Sequence, residues 1–202
     1  IPIMTRILGP SPYGIVSLFG TMLNLASTLS VQGVEMVYTR FYTNNNLISK
    51  RKVERFCWEW GINLSFLFSL LACIFWDFFS NSSHINDNTF VIYLLPLAII
   101  TSVLSTLSKT RERMLGKYKS LAISNIIAAV SAIVFPLIMV FFGIRGSLPL
   151  IMGLIINQLT ILLLIRVPNL SSYFFKTSNS LKHIKLFYKP AVSATLTGPI
   201  YW

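Results

Sequence analysis

Five stretches of this chain run for 17 residues or more without a charged side chain, and the lysines and arginines are gathered into the gaps between them. The stretches are 7–34, 60–76, 88–108, 120–144 and 146–165, of 28, 17, 21, 25 and 20 residues, and a sixth, 190–202, has 13. A hydrocarbon core about 30 Å thick takes roughly 20 helical residues to cross. Four runs reach that length, and the 17-residue run has Glu59 and Asp77 at its ends, placed to reach the two interfaces. The chain is only 11% charged, where a soluble domain carries about a quarter. Backbone inside lipid must satisfy its own hydrogen bonds, which leaves helices or the strands of a closed barrel. Barrel strands alternate in polarity over about ten residues; none of these runs alternates. The expectation is therefore an all-α, polytopic membrane helix bundle, with spans at about 11–35, 57–78, 89–108, 119–142 and 147–166. A soluble helical core is the competing reading, and the uninterrupted length of the runs argues against it.

The cations supply the topology. Of the 17 Lys and Arg, 15 fall in segments 36–56, 109–119 and 166–189, which alternate crossing places on one side; only Arg6 and Arg145 fall in the other loops. The positive-inside rule makes the rich side cytoplasmic. A net charge of +11 could also indicate nucleic acid binding, but here the cations flank spans and form no basic domain. On the opposite side, "FGIRGS" reads as a tight turn with Gly143 and Gly146, and "TRILGPSPYG" as a stiff hairpin set by Gly9, Pro10, Pro12 and Gly14. If that hairpin is outside, a helix precedes it. The expectation is then a fragment: 1–165 a first bundle, 166–189 a linker containing the short amphipathic stretch "SLKHIKLFYKP", and 190–202 the beginning of a further helix.

The first complete helix carries the clearest functional pattern. Ser17, Thr21, Asn24, Thr28, Gln32 and Glu35 fall within an arc of about 80° at 100° per residue. A polar stripe on a spanning helix faces protein or water. Helix packing is one reading, since hydroxyls join membrane helices; the Asn, Gln and Glu favour a hydrated cavity. Arg40 lies beyond Glu35 at the cytoplasmic end, where it either snorkels to the interface or offers a cation to an anionic headgroup. Arg6 poses the same choice on the outer side. Glu35 is also a candidate proton-loading carboxylate. Ser120, Ser124, Ala128 and Ser131, and Thr101, Ser105 and Ser108, make small-residue seams that suit close packing. Pro96 and Pro136 sit inside spans, as static kinks or as hinges.

Catalysis has little support. No two of the six acids form a D-x-D pair, and no phosphate-cradling glycine loop is present. Cys57 and Cys73 lie about 24 Å apart on one helix, and His84 and His183 read as solvated loop residues. No enzyme activity, cofactor or metal site is expected.

"TRILGPSPYGIVSL" resembles the T-R-x-L-G-P-x-x-Y-G signature of polysaccharide flippases, a family of the superfamily that includes multidrug and toxin extrusion transporters. "QGVEMVYTRFY", "RERMLGKYKSLAISNII" and "FYKPAVSATLTG" extend the similarity along nearly the whole chain, although Tyr188-Lys189-Pro190 keeps only the proline of the family's G-L-P. The resemblance implies the N-terminal six-helix half of a two-bundle transporter. It also implies movement of undecaprenyl-pyrophosphate-linked oligosaccharide units to the outer leaflet of the bacterial cytoplasmic membrane by alternating access, for O-antigen or capsule. H+ or Na+ is the possible coupling ion, and membrane lipids and the lipid-linked oligosaccharide are the partners; no nucleic acid partner is implied. The rival readings are a drug or toxin antiporter of the same superfamily and a glycan polymerase or ligase.

Overall fold

The computed structural model describes residues 10–43, 50–82, 89–144 and 146–165. They form five helices: α1 (Pro10–Thr43), α2 (Lys50–Ser82), α3 (Thr89–Met114), α4 (Tyr118–Phe141) and α5 (Leu148–Leu164). Among the described residues there is no strand. Four segments, Pro12–Val31, Val53–Trp76, Tyr93–Met114 and Tyr118–Phe141, are long and apolar enough to cross a membrane. The chain is a multi-pass membrane helix bundle. At 17 residues, α5 is the shortest of the five, at the lower end of the spanning range.

Three helices, α1, α2 and α3, pack against one another; α5 docks on α3, and α4 leans chiefly on α5. The packing explains where the charge pattern misplaces the helix ends. The first segment of cations was expected to open a loop at 36, yet α1 continues to Thr43 and α2 begins at Lys50. Apolar periodicity carries on past the bilayer-length run: Val34, Val37 and Tyr38 of α1 are buried against Val53, Cys57 and Trp58 of α2. The same holds at the start of α1. Pro10, Pro12 and Gly14 do not make the expected hairpin; they lie in the first turns of the helix. Proline is tolerated there because its missing N–H would have had no intrahelical partner. Arg6 and Gly9 lie outside the described residues, as do Arg145, His84, His183, the amphipathic stretch and 190–202.

The core divides into two apolar clusters. One, toward the cation-rich end, joins Val34, Cys57, Val103 and Leu107; the other joins Phe19, Trp76, Leu95 and Ile151. Between them sit small buried hydroxyls: Ser30 of α1, Ser65 and Ser69 of α2, and Thr101 and Ser102 of α3. Ser30, Ser65, Ser69 and Thr101 donate to carbonyls of their own helices at 2.7–2.8 Å, which settles each polar atom without a partner helix. Their small size lets the three backbones approach closely.

Two turns follow from glycine. After α3, Gly116 takes φ 72°, and the N–H groups of Gly116 and Lys117 bond to the carbonyls of Arg113 and Glu112. After α4, Gly143 takes φ 85°, with Gly143 and Ile144 bonding back to Val140 and Met139. Each is a Schellman cap, whose left-handed residue is cheap only for glycine. The second of these turns brings α4 and α5 side by side. Pro136 lies inside α4, and a Cβ placed on Gly153 of α5 would meet its Cγ at 2.5 Å and the carbonyl oxygen of Ala132 at 2.9 Å. The proline is thus held directly against the neighbouring backbone.

Candidate functional site

Exposed surface on the bundle is of two chemical kinds. On α2 the outward residues include Phe66, Leu70, Ile74 and Phe75, and on α4 they include Ile126, Val130, Ile133 and Leu137. Such faces suit acyl chains. On α1 the outward residues include Ser17, Thr21, Asn24 and Thr28, all exposed, with Glu35 half-buried. The side chains of Gln32 and Arg40 are not among those described, although both residues lie within α1. The predicted stripe is therefore one face of one helix, and it does not line the interior of this bundle, which the apolar clusters fill. Some of its polarity is satisfied locally: Thr21 Oγ1 donates to the Ser17 carbonyl at 2.8 Å and Ser27 Oγ to that of Asn24 at 3.2 Å.

Toward the cation-rich end the stripe meets α3. A cavity of about 250 Å³ is lined there by Ser27, Thr28, Val31, Glu35 and Thr106. Thr110 Oγ1 donates to Glu35 Oε1 at 2.6 Å and also lies 3.0 Å from the Thr106 carbonyl, so one hydroxyl proton is shared between a carboxylate and a backbone oxygen. This bond ties α1 to α3 across 75 residues of sequence. A second tie joins α2 to α3, where Arg111 Nε donates to Glu54 Oε1 at 2.5 Å. Arg55 pairs with Glu59 one turn along α2 at 2.6 Å. Ser105 Oγ donates to Gln158 Oε1 of α5 at 2.5 Å. The same end of the bundle is thus both its most charged and its most cross-linked.

On the flank of the stripe lies an apolar crevice of about 310 Å³ between α1 and α2, with Leu25, Leu29, Phe68 and Phe75 among its walls. Thr21 contributes to that crevice and to the polar stripe alike. Polar and apolar grooves therefore run side by side on one surface.

Sequence reasoning picked out the α1 residues and missed Thr106, Thr110, Glu54 and Arg111. Ser102, Thr106 and Thr110 recur at intervals of four, a signal for a polar face on α3. Nothing in one sequence pairs Glu54 with Arg111. Of the proposed hinges, Pro96 is half-buried in α3 and Pro136 is buried against α5. The seams at Thr101, Ser105 and Ser108 are buried; on α4, Ser124 and Ala128 are buried, Ser131 approaches Thr160 Oγ1 at 3.0 Å, and Ser120 is exposed.

A family model for polysaccharide biosynthesis proteins matches residues 3–200. The chain belongs to this family. No curated protein and no solved structure matches it. Membership of the polysaccharide biosynthesis protein family gives the membrane bundle a role in making or exporting a polysaccharide.

Proposed function

We propose that this chain forms part of a flippase that carries a lipid-linked oligosaccharide across a bacterial cytoplasmic membrane, from the inner to the outer leaflet. The observation that carries the reading is the adjacency of the polar α1 stripe to the apolar α1–α2 crevice. An undecaprenyl-pyrophosphate sugar is itself divided this way. Its head cannot enter hydrocarbon without losing hydration worth several kcal/mol per polar group, while its tail is at home there. A groove with one polar and one apolar wall accepts both without separating them. In this reading the stripe faces a second bundle across a hydrated cavity, and rocking of the two bundles exposes the cavity to each side in turn. The cation-rich end is cytoplasmic, and the protein moves its cargo without making or breaking covalent bonds. In this reading Arg6 and Arg40 serve as headgroup cations on opposite sides of the membrane, and H+ or Na+ supplies the drive.

The reading is tested by deleting the parent gene. Lipid-linked repeat units should accumulate in the inner leaflet while surface glycan disappears, and the intact gene should restore both. Unchanged surface glycan in the deletion strain would reject it. Glu35 in its hydroxyl-lined cavity also suits a cation antiporter. That second reading predicts lost drug resistance with glycan export intact, so the same strain separates the two.

A further inference from the structure

The cavity beside Glu35 is anionic, which is the wrong sign for a phosphorylated headgroup; the matching sign lies one face further round α3. Ser102, Thr106, Lys109 and Arg113 share an arc of about 60° on that helix. Along this arc burial falls steadily: Ser102 is buried, Thr106 and Lys109 are half-buried, and Arg113 is exposed at the helix end. Lys109 stands about 8 Å inside the end of α3, counting five residues at 1.5 Å each.

The carboxylates whose side chains are described are committed elsewhere. Glu54 is paired with Arg111, Glu59 with Arg55 and Glu112 with Lys117, while Glu35 accepts from Thr110. Among the described residues, no carboxylate stands at ion-pair distance from Lys109 or Arg113. Two like charges four residues apart on a helix repel each other, and partial burial of one makes that repulsion dearer. A lysine on this face gains an opposite charge only from outside the described chain.

We propose that Lys109 and Arg113 form the docking site for the phosphate groups of the transported lipid, at the end of the polar face where loading occurs. The inference rests on the flippase reading for its choice of ligand. Lys109, recessed beside the Thr106 hydroxyl, takes the phosphate nearer the bilayer; Arg113, at the rim, takes the one nearer the water. Glu35 repels the diphosphate from the neighbouring cavity, and while Oε1 holds the Thr110 hydroxyl, Oε2 accepts a hydroxyl of the attached sugar. Charge-assisted hydrogen bonds to phosphate are among the stronger polar contacts available.

The test is binding of farnesyl diphosphate to the full-length protein in phosphatidylcholine nanodiscs. Lys109→Gln should weaken binding about tenfold or more, the scale of one lost charge-assisted bond. Arg113→Gln should weaken it by a smaller factor. Lys109→Arg, which keeps the charge, should bind nearly as tightly as the native protein, and so should Lys119→Gln on α4. Equal binding by Lys109→Gln and native protein would overturn the site. So would loss in Lys109→Arg to the level of Lys109→Gln, and so would an absence of binding by the native protein. Nanodiscs of phosphatidylglycerol provide a further arm. Farnesyl diphosphate should still bind in them; full displacement by that bulk lipid would mean a general anionic-lipid contact and would also overturn the proposal. The flippase reading fails separately, by intact export in the deletion strain.

Discussion

Glu35 and Thr110 show how much of this bundle rests on single polar atoms. Their 2.6 Å bond joins two helices near the membrane surface, where a carboxylate without a donor would be costly. Thr110→Val keeps the shape and removes the hydroxyl. We expect a loss of about 1.5–3 kcal/mol, typical of a hydrogen bond to a charged group, seen as a lowered unfolding temperature in detergent. Unchanged stability would mean that Glu35 is held by water instead. Glu54 and Arg111 give a sharper case, because their side chains are only 12% and 23% exposed. Glu54→Ala removes the carboxylate that a partly buried guanidinium faces and should cost about 1–3 kcal/mol, below the range for fully buried pairs. Replacing both residues by apolar ones should recover part of that loss. A double variant that is additive with its singles would show that the two charges do not couple.

At the scale of helices, the sequence was most legible where chemistry and geometry coincide. Uninterrupted apolar length marked each crossing, and the glycines of "FGIRGS" marked the turn between α4 and α5, where Gly143 and Gly146 both take positive φ. The stripe on α1 was legible because a 3.6-residue period leaves a visible trace. Helix ends were not: charge was taken as the boundary, but α1 and α2 extend past it on the strength of an apolar cluster that joins Val34 and Val37 to Val53 and Cys57. "GPSPYG" misled for a related reason. Its prolines are equally good at starting a helix and at stiffening a turn, and only the tertiary context decides. Pairings between distant residues leave no trace in one sequence at all. The approach of Gly153 to Pro136 is of that kind. Gly153→Val would drive a side chain into Pro136 and the Ala132 carbonyl, and should destabilise the α4–α5 pair by about 1–3 kcal/mol. Gly61→Ala meets only the end of one side chain, Leu107 Cδ1 at 2.9 Å, and no backbone, and should cost less. Reversal of that order in thermal unfolding would contradict the packing.

For the molecule as a whole, the informative fact is an asymmetry of surface. α2 and α4 turn leucine, isoleucine and phenylalanine outward, while α1 turns outward serine, threonine and asparagine. In a membrane these surfaces belong to different solvents, since a polar stripe is disfavoured against acyl chains. The account therefore stands or falls on whether water reaches α1 in the intact membrane. The direct measurement is thiol labelling of the full-length protein in native membranes, with Cys57 and Cys73 replaced by alanine. A single cysteine is then introduced at Asn24, Thr28 or Ile133 and exposed to a water-soluble maleimide. Asn24→Cys and Thr28→Cys should label readily, and Ile133→Cys, also exposed on the bundle but on the apolar side, should not. If all three resist labelling alike in the membrane, the α1 face is dry and the transport pathway does not run along it.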